Sequence, residues 1–399
     1  MHILVLAPGF PTLSKLKKEK GNFYGGSFVL PEVLAYHSAG AIVTVLTPHV
    51  PGLPRKETIK KGINVIRFRY FFPYRWQKVR LPKHPLYSSK LLWLRMFQLP
   101  LFILFFFISI YRFRHTIDII HANWTPTALL AIPYKAIFNI PVVLTYRGSD
   151  LRLLPFIINK FIIRKVTAVL DIWGNMEFAR KYQPYLRNKA VKLPLITRTI
   201  ETSSMENKKR TGNKAQFVFI GRLSILPDIH KGLDIIVPAA NELRKKYEEF
   251  RVVILGDGPS KAFIQQQINS YNLSSHVELC GYRHDIFKFL SHSSAVIGGV
   301  GLNAVVTESA YSKALLLLPD DERWNNDIWV HKYNALLYHP ETASALAEIM
   351  TYVIEQPDKC EQIALNGFKT IRKYVLDIKD GGKVYIDAFH TIIGNTGKL

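Results

Sequence analysis

Short apolar runs alternate along the chain with stretches of helical period. Up to about Pro194 the clearest runs are Val43–Thr47, Asn64–Arg69, Ile117–His121 and Val142–Thr145. A polar, charged stretch, Thr197–Lys214, follows without hydrophobic periodicity and reads as an exposed connector at the start of a second domain. A second alternating set then extends from Ala215 to about Leu318. Phe217–Ile220 stops at Gly221, Arg251–Leu255 at Gly256-Asp257-Gly258-Pro259, and Val277–Leu279 leads to Gly281. Ala295–Ile297 runs into Gly298-Gly299, and Ala314–Leu318 precedes Pro319. Continuous apolar runs bounded by turn residues and separated by helices predict parallel sheets buried on both faces. Three helical patterns close the chain: Ala343–Glu355, Lys359–Tyr374 and Gly382–Ile393.

Candidate chemistry collects where those strands end. In Phe217–Gly232, an apolar strand ending in Gly221 is followed by Arg222, and Lys231-Gly232 opens an amphipathic segment nine residues later. A glycine lets backbone approach a ligand closely, and α/β sheets bind ligands beyond the carboxyl ends of their strands. Arginine offers phosphate a planar fork, and lysine a mobile point charge. Alone, the stretch reads either as a diphosphate site or as a surface loop with two solvated cations.

Gly221-Arg222-Leu223, Lys231-Gly232, Gly256–Pro259, the Gly-rich turn Gly298–Asn303 and Thr307-Glu308-Ser309 occur in one order. In that order they resemble the C-terminal domain of GT-B glycosyltransferases, closest to the retaining family 4 (group 1) enzymes. Met1–Gly9, Gly25-Gly26-Ser27, Ile119–Trp124 and Val142–Asp150 resemble the N-terminal half of the same family. The resemblance implies two Rossmann-like α/β domains facing a cleft, with the last helix crossing back onto the first. The implied boundaries are 1–195 for an acceptor-binding domain, 196–380 for a nucleotide-sugar-binding domain and 381–399 for the returning helix. It further implies that Arg222 and Lys231 grip the donor diphosphate and stabilise the leaving group, which would make a metal unnecessary. Glu308 corresponds to a ribose-binding carboxylate. Gly25, Gly26 and Gly256, and the backbone of Gly301, Leu302 and Asn303, correspond to positions that cradle donor oxygens. Two positions depart from the family pattern: Val300 stands where a sugar-contacting glutamate is usual, and Asn123 where a second histidine is usual. His121 is the histidine that remains, with a catalytic role implied by resemblance and a hydrogen-bonded core role as the alternative. Arg147 and Asp150 follow an apolar strand and read as acceptor-site or loop groups.

Composition narrows the setting. With 399 residues, 48% hydrophobic and 12% aromatic, the chain is long enough for two cored domains and excludes disorder. Cys280 and Cys360 form neither a disulfide framework nor a zinc spacing, so a reducing compartment is the simpler expectation. No Asp-x-Asp motif occurs, and Asp320-Asp321-Glu322 reads as a solvated loop, so no cofactor or metal is expected. The opening MHILVLAPGF reads as a first strand, not as a signal peptide.

The net charge of +23 lies entirely in residues 1–199, which hold 30 Lys and Arg against 7 Asp and Glu. Such asymmetry points to a polyanionic partner. Leu91–Tyr111 is apolar but interrupted by Arg95, Gln98 and Pro100. It reads either as an interfacial helix on acidic lipid or as a core helix before Ile117–His121. The aromatic and basic stretch Arg67–Arg80 tips the reading toward peripheral contact with an anionic membrane. Nucleic acid is disfavoured, since no helix-turn-helix, RNA-recognition or zinc-finger signature occurs.

The expectation is therefore a metal-independent, hexosyltransferase-type retaining enzyme. It would take a UDP- or GDP-sugar donor and pass the sugar to a lipid-linked or polysaccharide acceptor at the cytoplasmic membrane face, in cell-envelope polysaccharide assembly. The competing readings are a non-catalytic GT-B relative that binds nucleotide sugar and, further off, a basic nucleic-acid-binding protein.

Overall fold

The computed structural model describes residues 1–12, 29–77, 79, 92–147, 151, 153–171, 182–197, 214–224, 233–283, 285–299, 303–320 and 328–396. The chain divides into two compact units, Met1–Arg198 with Leu376–Leu399, and Thr199–Val375.

The first unit opens with β1 (His2–Leu6), α1 (Val29–Ser38), β2 (Ile42–Pro48), β3 (Lys56–Lys60) and β4 (Ile63–Phe68). It continues through α2 (Leu92–Tyr111), β5 (Ile119–Asn123), α3 (Thr125–Phe138), β6 (Val142–Thr145) and α4 (Phe156–Lys165). It then adds β7 (Ala168–Asp171), α5 (Gln183–Leu186), β8 (Ala190–Lys192) and β9 (Leu195–Ile196). One eight-stranded sheet has the order β3-β4-β2-β1-β5-β6-β7-β8. It is parallel except for the β3–β4 hairpin. Successive residues of β1 serve opposite layers, as strand geometry requires. Leu4 and Leu6 pack under α2, α3 and α4, and Ile3 and Val5 under α1 and the C-terminal helix.

The edge strand β3, KETIK, escapes a search for apolar runs because its residues alternate between exposed and half-buried. Charge on an edge strand is the usual guard against pairing with another chain.

The helix α2 is core on one face only. Phe102, Phe106 and Ile110, one turn apart, are buried against the first sheet, while Phe97 and Leu104 are exposed. Among the described residues no helix is long and apolar enough to cross a membrane.

The second unit comprises β10 (Ala215–Ile220), α6 (Ile236–Arg244), β11 (Phe250–Leu255), α7 (Lys261–Ser270), β12 (Val277–Gly281) and α8 (Ile286–His292). After these come β13 (Ala295–Ile297), α9 (Ala304–Tyr311), β14 (Leu316–Pro319), β15 (Leu336–Tyr338), α10 (Ala343–Glu355) and α11 (Pro357–Ile371). Its six-stranded sheet is wholly parallel, in the order β12-β11-β10-β13-β14-β15.

The last helix, α12 (Ile378–Thr396), belongs to the first unit and lies along α1. It starts four residues earlier than its apolar pattern suggests, and Gly381-Gly382 lie inside it. A Cβ on Gly382 would sit 2.2 Å from the Ala35 carbonyl oxygen. The glycine, unfavourable in a helix interior by about 1 kcal/mol, is what allows the two helices to touch.

Candidate functional site

In the second unit the chain leaves β10 for β11 and β12 on one side, then returns to lay β13, β14 and β15 on the other. The carboxyl ends of β10 and β13 therefore form a topological switch point, where open α/β sheets take ligands. Their register pairs Phe219 with Ile297, so Gly221-Arg222 and Gly298-Gly299 emerge side by side. Arg222 is exposed, and its guanidinium has no hydrogen-bond or ion-pair partner among the described residues.

Past β13, Asn303 caps α9 by accepting the Val306 amide at 3.0 Å on Oδ1, a contact worth about 1 kcal/mol. Gly298 lets this helix sit close, since a Cβ there would lie 3.1 Å from Val306 Cγ2 of the helix and 2.7 Å from Leu318 Cδ2 of β14. Within α9, Thr307 and Ser309 are buried and Glu308 between them is half-buried. The helix N-terminus carries a partial positive charge that suits an anion.

Gly256 owes its identity to a backbone contact. Its φ is +148°, and a Cβ would stand 1.8 Å from the Gly221 carbonyl oxygen. The β10 and β11 loops are tied together there by Gly221 N–H donating to the Leu255 carbonyl at 3.0 Å and Leu223 N–H to that of Asp257 at 3.1 Å. Gly256 thus holds the loop that presents Arg222. The other expected donor-binding positions, Gly25, Gly26, Lys231, Gly301 and Leu302, lie outside the described residues, as do Asp150, Val300 and Asp321-Glu322.

The first unit has a switch point of its own, between β1 and β5. Beside it lies a buried polar network. Arg147 Nη2 donates to both oxygens of Glu32 at 2.7 Å, and Arg147 Nε donates to Asn123 Oδ1 at 3.2 Å. Burial pushes the Glu32 carboxyl above its usual range, and Arg147 opposes that shift. Asn123 is fully buried, and its Nδ2 has no partner among the described residues. The next residue, Trp124, has φ 75° and ψ 143°, a sparsely populated backbone conformation that costs a bulky side chain about 1–3 kcal/mol.

His121 lies within β5 and is wholly buried. Its Nδ1 meets Tyr36 Oη at 3.2 Å and its Nε2 meets Thr145 Oγ1 at 2.8 Å. Burial, aided by the Arg147 charge, lowers its pKa to about 3. A neutral ring with both nitrogens engaged and no exposed edge has the geometry of a core histidine. Nothing in that arrangement prepares it to exchange a proton with a substrate.

Glu32, Tyr36 and Thr145 were not legible as a group in the sequence. One signal was available for Glu32: it is a lone acid among apolar neighbours, Leu30-Pro31-Glu32-Val33-Leu34, in a half with few acids. Such a residue is usually buried with a partner.

A family model described as "Glycosyl transferases group 1" matches residues 201–370. An uncharacterized glycosyltransferase of Methanocaldococcus jannaschii is 30% identical over 136 residues, 32% of this chain and 32% of that protein. A putative glycosyltransferase of Bacillus subtilis is 23% identical over 152 residues, 37% of this chain and 39% of that one. The matched segments thus span about a third of these relatives' own length. Solved structures align over the whole chain. Sucrose-phosphate synthase from Thermosynechococcus elongatus has a TM-score of 0.68 at 15% identity, covering 100% of this chain and 98% of its own. HepE of Anabaena, determined in complex with UDP-glucose, has a TM-score of 0.65 at 15% identity, covering 98% and 100%. Residues 201–370 accordingly match the glycosyl transferases group 1 family, in a chain whose fold is that of the GT-B glycosyltransferases.

Proposed function

We propose that the protein is a retaining, metal-independent glycosyltransferase of hexosyltransferase type. Its donor is a UDP- or GDP-sugar seated beyond β10 and β13, and its acceptor a lipid-linked or polysaccharide glycan at the cytoplasmic membrane face. The observation that carries the donor reading is Arg222, an exposed guanidinium without a partner among the described residues, at the switch point where β10 and β13 end. Arg222 would neutralise the diphosphate as it departs, and Lys231 would join it. Preorganised charge aimed at a developing anion is often the largest single catalytic contribution. Glu308 would accept the ribose hydroxyls.

The partially matching relatives carry glycosyltransferase names, and HepE was solved with UDP-glucose, which supports a nucleotide-sugar donor. The surplus of cations in residues 1–199 supports an anionic acceptor or its membrane. His121 has no place in this scheme, because its ring is buried and fully hydrogen-bonded.

Calorimetric titration with UDP, GDP, ADP and their sugar conjugates tests the proposal. One nucleotide class should bind selectively, and Arg222→Ala should weaken it roughly tenfold to hundredfold. A folded wild type that binds none of them would overturn the donor assignment. Donor binding without turnover on any glycan would favour the non-catalytic reading, which Val300 and Asn123 motivate by standing where the family pattern has a glutamate and a histidine.

A further inference from the structure

The helices α2, α3 and α4 cover one face of the first sheet, with α3 packed between the other two. Their sequences contain no aspartate or glutamate at all. A helix layer facing water ordinarily mixes both charge signs and few large apolar groups. This one does neither. On α2, Trp93 is 67% exposed, Phe97 65% and Leu104 50%; on α3, Ile137 is 67% exposed; on α4, Ile157 is 77% exposed. These side chains point away from the sheet, since Phe102, Phe106, Tyr134 and Ile162 of the same helices point into it.

Cations border the apolar surface. Arg112 and Arg114 follow α2, with Arg114 stacked on Tyr111 at 3.7 Å. On α4, Lys160 and Arg164 lie over the Tyr185 ring. Between β4 and α2 a pocket of about 560 Å³ opens beside the same apolar surface, sharing Phe105 and Ile108 with it. Arg55, Lys56, Arg69 and Arg112 line the pocket, and its buried Arg67 is paired with Glu57 at 3.0 Å. Arg69 stacks on Tyr74 at 3.8 Å, and its Nε has no partner among the described residues. The pocket therefore sets Leu101, Phe105 and Ile108 of α2 against cations of the strand side, with Arg112 past the end of the helix adding another.

Exposed apolar area of this extent marks an interaction site. A protein partner fits the apolar groups alone. The absence of any acid from three adjacent helices, with cations at their margins, is the complement of a surface both apolar and anionic.

We propose that the outer face of α2, α3 and α4 docks the protein on an acidic phospholipid leaflet, with a lipid headgroup phosphate in the pocket between β4 and α2. The inference rests on the membrane-side acceptor proposed above and specifies the surface that reaches it. It places α2 in the plane of the leaflet, with Phe97 and Leu104 in the acyl boundary.

Vesicle flotation of the full chain tests this. The protein should float with phosphatidylglycerol-rich vesicles, stay behind with pure phosphatidylcholine, and be released by salt. The double variants Phe97→Ser/Leu104→Ser and Arg112→Glu/Lys160→Glu change exposed or half-exposed groups, so their thermal unfolding should match the wild type. Each should lower vesicle partitioning by roughly tenfold or more. No flotation, equal partitioning onto neutral vesicles, or variants that float like wild type would each overturn the inference. So would a lipid-free dimer that Phe97→Ser/Leu104→Ser dissolves, which would give the face to a second copy. Nucleotide calorimetry on the same samples without lipid separates the two proposals: donor binding with no flotation leaves the donor site standing and removes only this surface.

Discussion

Arg147 and Glu32 form a forked ion pair at 2.7 Å with both side chains almost entirely withdrawn from water. The pair joins α1 to the carboxyl end of β6 and also holds Asn123 at the end of β5. A buried pair of this kind is strongly destabilising to break on one side, because the remaining charge is left in a poorly polarisable interior.

Glu32→Gln should therefore lower the stability of the first unit by about 3–5 kcal/mol. Glu32→Leu combined with Arg147→Met should recover much of that loss, since the double change removes both charges. Urea unfolding of the three proteins checks both statements. A Glu32→Gln protein as stable as wild type would mean that Arg147 finds another acceptor.

His121 links stability to pH. Its pKa is about 3 in the fold and near 6.5 in an unfolded chain. Between those values the unfolded chain binds more protons, so stability is fully present above about pH 6.5 and falls as pH drops toward 3. The slope reaches about 1.4 kcal/mol per pH unit. His121→Gln should be less stable at neutral pH yet show a shallower decline between about pH 6.5 and 5. Parallel slopes in the two proteins would show that His121 charges without leaving the fold.

Gly256 and Gly281 separate two uses of glycine. Gly256→Ala should destabilise the second unit by about 4 kcal/mol, since a Cβ would strike the Gly221 carbonyl oxygen at 1.8 Å. Gly281, at φ +69°, has open space around its Cβ position. Gly281→Ala should cost only about 1–2 kcal/mol of backbone strain. Thermal melts rank them; equal losses would show that the two loops can part at little cost.

Glu308 should be read out through the ribose. For whichever nucleoside diphosphate binds, the 2′-deoxy form should bind the wild type roughly tenfold less well. Glu308→Gln, which keeps the side chain's shape, should shrink that ratio. A wild type indifferent to the 2′-hydroxyl would remove the ribose role.

The apolar runs were sufficient to place β1, β2, β4 to β6 and β10 to β14, because a strand buried on both faces has to be continuously apolar. The charge asymmetry was equally plain, being a count. Motif order singled out Arg222, Asn303 and Glu308, which the fold sets just past β10, at the cap of α9 and within α9. Strands β3, β7, β8, β9 and β15 and the early start of α12 were not visible: β3 is polar, the other strands are two to four residues long, and the helix opens through two glycines.

What only the tertiary structure decided concerns residues far apart in the chain. Whether His121 is exposed or enclosed depends on Tyr36 and Thr145. Whether Arg147 faces a ligand or a carboxylate depends on Glu32, 115 residues earlier. The glycine at position 256 answers a carbonyl in the loop after a neighbouring strand, and the packing of α2 depends on α3 beside it. Periodicity and composition report how each segment meets water or a core. They do not report which other segment it meets, because that contact is set by packing of the whole fold and by the high cost of leaving a buried polar group alone.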